Sequence, residues 1–564
     1  MTESQPSDVA KAEAHQIDEA NAASSSSELS TRQILLAMSG LVIAMLLAQL
    51  DNMIVSPALP TIVGELGGLN HLSWVVTGYI LASTVSTPIW GKLGDLHGHK
   101  KTFMISITLF LIGSALCGMA QDMTQLVLFR AFQGIGGGGL VVGVMSVIGV
   151  LIPPRQRGKY VGIMMAVFPA AMIAGPMIGG WITDNVSWRW AFYVNLPLGI
   201  LALIVIWSTL HLAHDKLNTK VKMDWAGITL IIVWLTSLVL MITWAGTEYP
   251  WGSWQITTLG AIALVGLIWF LRVESKAADP IIPLRLFTNS NFTIATILGF
   301  VAGFAMFGGL TFLPQFQQFV QGESATNSGL LLMPMMVSAM VVSLVGGQIM
   351  TRTGHYKALP ILGSGLLAVG LWLFSTMDVN TPTSTTAWYM VVLGAGMGSL
   401  MQTTTLIAQN SVKVPDIGAA TGTSTFTRNL GGSIGVSILG ALFASTLTDK
   451  FAQLGAQAGS GGGEGLQGNP SAMTPQMVQG LPETIRIAFQ SAVADGTHVI
   501  FFWSAAIAII GFVVSWFIKQ VPLRTSFDEP DIEGDDVALE TEGETDGVVE
   551  SDSSDETVNI KGSS

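Results

Sequence analysis

Charge is scarce in this chain, and its scarcity sets the class of protein. Only 11% of the 564 residues are charged, 50% are hydrophobic, and the mean hydropathy is +0.56. That balance excludes a soluble multidomain protein and indicates an all-α integral membrane protein, in which the 63 glycines are also at home. A single cysteine, Cys117, excludes an intrachain disulfide and a cysteine metal site. His97, His99 and Asp95 lie close in sequence but lack metal-ligand spacing, so no metal site is expected. No Walker motif is present, so ATP hydrolysis within the chain is not expected. Neither a nucleophile–base set for an enzyme nor the repeated polar rings of a channel filter can be found.

The net charge of −12 is local. Residues 525–564 hold 14 acidic side chains and one basic one, Lys561, and the rest of the chain is close to neutral. Residues 1–33 and 520–564 read as disordered cytoplasmic tails, because such compositions cannot bury apolar area.

Apolar runs fill what lies between. At about 20 apolar residues per crossing, they give fourteen predicted spans. Six lie at 34–56, 73–91, 102–121, 124–151, 160–182 and 191–213; two at 225–245 and 255–272; six at 291–318, 329–350, 358–377, 386–410, 417–447 and 498–519. With both termini cytoplasmic, twenty of the 25 basic residues fall in cytoplasmic segments, as the positive-inside rule requires. The expected organisation is a six-helix bundle over 34–213, a linker with two extra helices over 214–290, and a second six-helix bundle over 291–519. Residues 447–497 form a long external loop in that reading, with LPETIRIAFQSAVA (481–494) as a short helix on the membrane surface.

An internal repeat supports two halves. GKLGDLHGHKK at 91–101 is echoed 256 residues later by GQIMTRTGHYK at 347–357, with Gly91, Gly98, His99 and Lys101 recurring as Gly347, Gly354, His355 and Lys357. Parallel halves around a midplane site are a known transporter plan. Within the spans only one acid is placed, Asp51 in LLAQLDNMIVSPALPT, and only two arginines, Arg130 and Arg428. An intramembrane carboxylate costs about 2.5–3.5 kcal/mol on insertion scales and must face a partner or water. Arg130 is its natural partner.

Several motifs together resemble the major facilitator superfamily, specifically its fourteen-helix drug:proton antiporters of the EmrB/QacA type. LDNMIVSPALPTI at 50–62 resembles the first-helix motif whose aspartate is implicated in proton coupling, with Pro57 as a departure that predicts a local kink. LVLFRAFQGIGGGG at 126–139 resembles the fourth-helix motif with a buried arginine. The resemblance thus implies proton coupling by Asp51 and Arg130. GKLGDLHGHKK resembles the loop motif that latches one state of the transporter, here Gly91, Asp95, Gly98 and Lys101. His99 replaces its usual arginine, which weakens the contact and adds pH sensitivity, and the second copy carries Thr351 where the first has its acid. GIMMAVFPAAMIAGPMIGG at 162–180 resembles the antiporter signature through Gly162, Gly175, Pro176, Gly179 and Gly180, with Ala171 in place of a glycine; SWRWAFYVNLPLG at 187–199 also matches the branch.

What the resemblance implies is a monomeric exporter of small amphipathic molecules, driven by a proton gradient across the cell membrane, with no cofactor and no nucleic-acid partner. A dedicated exporter of one metabolite, or a sensor or importer, shares these features. Asn52, Gln133, Gln315, Gln318, Gln402 and Asn410 are candidates for the substrate cavity, with Arg428 and Asn429 among the other polar side chains that either line it or join helices. Tyr79, Phe168, Trp188 and Phe307 are candidates for an adaptable apolar wall. With no second acid in the spans, the expected substrates are neutral or singly charged rather than dications.

Overall fold

The computed structural model describes residues 31–66, 72–210, 224–245, 249–277, 279–323, 325–458, 478 and 482–523. The terminal tails, but for residues 31–33 and 520–523, and residues 459–477 and 479–481 of the loop read as external lie outside the described residues. Among these described residues the long helices are, in order, α1 Thr31–Leu66, α2 Leu72–His97, α3 His99–Gly118, α4 Met123–Leu151, α5 Pro154–Asn185, α6 Asn195–Thr209, α7 Trp225–Trp244, α8 Trp254–Glu274, α9 Ser290–Phe319, α10 Met333–Thr353, α11 Ala358–Ser375, α12 Thr383–Asn410, α13 Ile417–Ala458 and α14 Glu483–Ser515. No strand occurs among the described residues. Among the described residues eleven helices are long and apolar enough to cross a membrane; α2, α5 and α9 are as long but fall outside that set. Large apolar side chains such as Trp254 (72% exposed) and Trp388 (71%) cover the outer surface, which only lipid makes tolerable.

Local chemistry places the helix ends. Asp122, Asp224, Ser253 and Asn289 cap α4, α7, α8 and α9 by accepting from backbone N–H groups of the first turn. Proline opens α5 and α10, where a missing N–H costs nothing. Gly98 (φ 89°) and Gly354 (φ 71°) turn the chain between α2 and α3 and between α10 and α11. A side chain resists that left-handed geometry, which explains both glycines of the repeat.

The helices pack as two groups of six with matching partners. In the first, α2 and α3 pack on α4, and α5 and α6 on α1; in the second, α10 and α11 pack on α12, and α13 and α14 on α9. The pair α7–α8 packs on itself and rests against α2 and α13 through Trp234, Phe426 and Val85. Glu274, 2% exposed, closes that hairpin by accepting from Ile281 N at 3.2 Å.

Two expectations need correction. The 481–494 stretch is not a separate surface helix, because α14 runs unbroken from Glu483 through Gly496. Phe489, Ala492 and Val493 are buried in the core of the second half, so this apolar face has a protein partner and continues the span. The expected spans also stop short: α1 extends to Leu66 and α2 to His97, so Glu65 and Asp95 lie inside helices, at their ends. The backbone of α1 stays helical through the predicted kink at Pro57, whose side chain is not among those described.

Candidate functional site

Two buried constellations carry the chemistry, one inside the first half and one between the halves. Asp51 is fully buried on α1. Its Oδ2 accepts from Arg130 Nη1 at 2.6 Å, and its Oδ1 accepts from Gln133 Nε2 at 2.8 Å and Asn195 Nδ2 at 2.7 Å. Arg130 and Gln133 stand three apart on α4, hence on one face, and Arg130 Nη1 also donates to Gln133 Oε1 at 2.9 Å. The Arg130 side chain has further company: Nε donates to Val75 O at 3.4 Å, and Tyr79 lies 4.3 Å below its Cζ. Asn195, at the start of α6, donates as well to Ser114 Oγ at 2.9 Å, while its own Oδ1 is buried without a donor among the described residues.

Such a cage holds an anion. Three donors surround the carboxylate, and removing one partner of a buried pair typically costs about 3–5 kcal/mol. The sequence pointed to Asp51 and Arg130 but gave Gln133 to the cavity and gave Asn195 no role. Gln133 is fully buried and belongs to the cage. Asn195 had a visible signal, one amide inside the apolar sixth span. Tyr79 and Trp188, 5% and 1% exposed, are packed within the first half rather than forming an open apolar wall: Tyr79 lies under Arg130, and Trp188 donates to Glu65 at 2.7 Å. Phe168 is partly buried against the second half, and the Phe307 side chain is outside those described.

The second constellation closes one end of the molecule. Asp95, at the end of α2, accepts from Gly418 N at 2.7 Å and Ala419 N at 2.6 Å, so it caps the N-terminus of α13 in the other half. A β-carbon on Gly91 would meet the carbonyl oxygen of Gly418. His99 Nε2 stands 3.5 Å from Asp95, whereas Lys101 is exposed on α3. On the opposite flank, Gly158 of α5 faces Gly347 of α10, Arg155 Nε donates to Thr351 O at 3.2 Å, and Gln402 Nε2 donates to Gly158 O at 2.6 Å. Gln409 Nε2 reaches Met145 O at 3.0 Å. Arg157, 1% exposed, donates to Ile152 O at 2.7 Å and to Gly149 O.

Gln402 is therefore a buried cross-half tie here, not an open cavity residue. Among the other candidates, Gln318 donates to Ser328 at 2.9 Å, Asn52 to Ala48 O at 3.3 Å, and Gln315 and Asn410 are partly buried. Gly162 approaches Leu344 of α10, Gly175 and Gly179 approach Met53 and Ile54 of α1, and Gly180 meets nothing. The side chain of Pro176 is not among those described.

At the opposite end each half is tied only to itself among the described residues. Glu65 of α1 accepts from Arg189 and Trp188, and Lys450 Nζ of α13 pairs with Asp495 of α14 at 2.8 Å. The halves thus meet at the end carrying the 91–101 and 347–357 turns.

Comparison with known proteins agrees with this architecture. The model of the Major Facilitator Superfamily matches residues 41–436. The chain is 39% identical over 509 residues to "Multidrug transporter protein MdtP" of Bacillus subtilis (strain 168), covering 86% of this chain and 93% of that protein. It is 34% identical over 492 residues to "Multidrug resistance protein 3" of the same organism, covering 86% and 95%. Among solved structures, the human organic anion transporter MFSD10 superposes with a TM-score of 0.57 at 12% identity, over 85% of this chain and 100% of that one. The proton:xylose symporter XylE gives 0.56 at 14%, over 88% and 98%. At such identities the structural likeness concerns the fold alone.

Proposed function

The chain belongs to the major facilitator superfamily as a drug-efflux transporter, and from that premise we propose that it exports small amphipathic molecules by exchange with protons at Asp51. The observation that carries the proposal is the Asp51 cage: a buried carboxylate whose arginine and asparagine donors both have other acceptors within reach. When Asp51 takes a proton, Arg130 loses its counter-charge but keeps Gln133 Oε1, Val75 O and the Tyr79 ring. The new O–H needs an acceptor, and rotation of the Asn195 amide presents the Oδ1 that now has no donor. Both protonation states are thus satisfied by the same residues, which makes the proton exchangeable rather than locked.

With both termini on the cytoplasmic side, the closed end is cytoplasmic and this conformer is open outward. The Asp95 cap of α2 on the start of α13 and the Gly158–Gly347 flank are then the inner gate. Proton loading at Asp51 loosens α1 against α4 and α6, the halves rock, and the inner gate parts to admit substrate. Proton release inside and substrate release outside complete the cycle. One charge crossing 100 mV is worth about 2.3 kcal/mol, so one proton per neutral molecule sustains a roughly 50-fold gradient.

The test is a panel of unrelated dyes in proteoliposomes with an imposed pH gradient. Asp51→Asn should lose uphill efflux, by at least about 100-fold, while retaining downhill exchange, since the amide still fills the cage but carries no exchangeable proton. Uphill pumping by Asp51→Asn at the wild-type rate would refute the assignment. Breadth across the panel separates a multidrug exporter from one dedicated to a single metabolite.

A further inference from the structure

We propose that Arg428 is a recognition point for an anionic headgroup, so that amphipathic carboxylates or sulfonates are among the substrates; this rests on the efflux reading above. The placement comes first. From Ile417 to Phe426, where α13 closes against α2, every side chain is buried. Thr427 to Leu430 are the next positions and the first to be partly accessible, and nothing on α13 is fully exposed before Ile438. Along its length α13 packs against α2, α4, α7, α9, α12 and α14, and Arg428 stands beside Gly303 of α9, two residues beyond the stretch closed against α2.

Its neighbours explain how it stands there. Phe426 and Leu430 turn the opposite way and pack with Trp234 of α7. On the Arg428 side, Gly303 of α9 leaves room for the arginine stem: a β-carbon there would lie 3.1 Å from Arg428 Cγ. One turn earlier on the same side, Ser424 sits beside Gly299 and its Oγ is buried without a hydrogen-bond partner among the described residues.

Among the described residues the guanidinium makes no ion pair or hydrogen bond and has no charged neighbour. The buried acids among the described residues are engaged elsewhere: Asp51 with Arg130, Asp95 with the start of α13, Glu274 at the end of the α7–α8 hairpin, and Asp416 with Arg285. An unpaired guanidinium inside a membrane protein is costly, and a planar oxyanion relieves that cost through two parallel hydrogen bonds. The free Ser424 hydroxyl supplies a third donor one turn away. An ammonium headgroup would be repelled at the same place. At one proton per substrate, export of a monoanion moves two charges per cycle where a neutral molecule moves one, so the limiting ratio that a membrane potential supports is squared.

The experiment compares a fluorescent medium-chain carboxylate with its methyl ester, in wild type, Arg428→Gln and Arg428→Lys. Equilibrium binding to purified protein is measured alongside transport and charge movement in proteoliposomes. Wild type should prefer the carboxylate at least tenfold and move twice the charge per molecule for it. Arg428→Gln should bring the two affinities within twofold, and Arg428→Lys should retain part of the preference. An unchanged carboxylate-to-ester ratio in Arg428→Gln, or a wild-type preference for the ester, overturns the proposal and assigns Arg428 to packing. If wild type binds the carboxylate selectively but transports neither probe, the efflux reading fails, and with it the carboxylate as substrate, while headgroup recognition by Arg428 stands.

Discussion

The two flanks of the closed end are built alike and held differently. On one, Gly91 of α2 meets Gly418 of α13; on the other, Gly347 of α10 meets Gly158 of α5. Gly91 and Gly347 thus each lie against a glycine of the opposite half, where only the lack of a side chain allows the backbones to touch. The first flank then adds a charge, since Asp95 accepts from two N–H groups at the start of α13. At the matching position Thr351 turns its hydroxyl back to Gly347 O at 2.8 Å and offers only its carbonyl to Arg155. Steric fit is therefore shared by both flanks, and electrostatic strength belongs to one. The halves should separate with the α5–α10 flank yielding more readily.

The strongest way to break the comparison is to remove what the flanks share. Gly91→Val or Gly347→Val places a β-carbon on an opposing carbonyl, and overpacking of about 3 kcal/mol or more corresponds to a roughly 100-fold loss of the closed population. Spin-label distances between positions 101 and 352 should lengthen equally in both variants. Unequal effects would show that fit, too, is asymmetric.

Removing the charge sharpens the contrast. A hydrogen bond to a charged group contributes about 1.5–3 kcal/mol, so Asp95→Asn should slow turnover roughly ten- to 100-fold with little change in equilibrium substrate affinity. Thr351→Ala should stay within about twofold, because its hydroxyl serves only its own helix. Loss of affinity with normal turnover in Asp95→Asn would contradict the latch. A smaller effect is expected for Arg155→Gln, which gives up one contact to a carbonyl at 3.2 Å; a fall of about twofold to fivefold in transport rate is the measure.

The least effect at neutral pH belongs to the opposite end. Arg189, and next Trp188, hydrogen-bond Glu65 and lower its pKa from the ordinary carboxylate value. A lowered carboxylate contributes stability that is complete above its unfolded value and is lost as pH falls through the folded one. Thermal unfolding should therefore be indifferent to Glu65→Gln in slope near pH 7, and the variant should lack the acid-side loss seen in wild type below about pH 4.5. An identical acid-side loss in the variant would place the titrating group elsewhere.

Much of this was legible in the sequence for a physical reason. Charges inside apolar runs are so costly that Asp51 and Arg130 had to meet, and the Gly98 and Gly354 turns needed residues that tolerate positive φ. What stayed hidden were contacts between residues far apart that look ordinary alone. Arg157 counted as one more basic loop residue, although its guanidinium is buried against backbone carbonyls. Gln402 read as a candidate for the cavity and Gln409 drew no reading, and only the packed structure shows them bonding α5 and α4 across the halves. The continuity of α14 was missed because amphipathicity alone does not say whether lipid or protein covers the apolar face.

The α7–α8 hairpin has a consequence for how such a chain could arise. A hairpin leaves and re-enters the molecule at the same end, so it keeps the parity of every helix that follows. Inserting one helix would turn the second half upside down, and Gly347 would then sit at the opposite end from Gly158 instead of against it. Growth of this architecture between its halves is thus quantised in pairs. The pair found here has settled across α2 and α13, on the seam whose pseudo-symmetry it leaves intact.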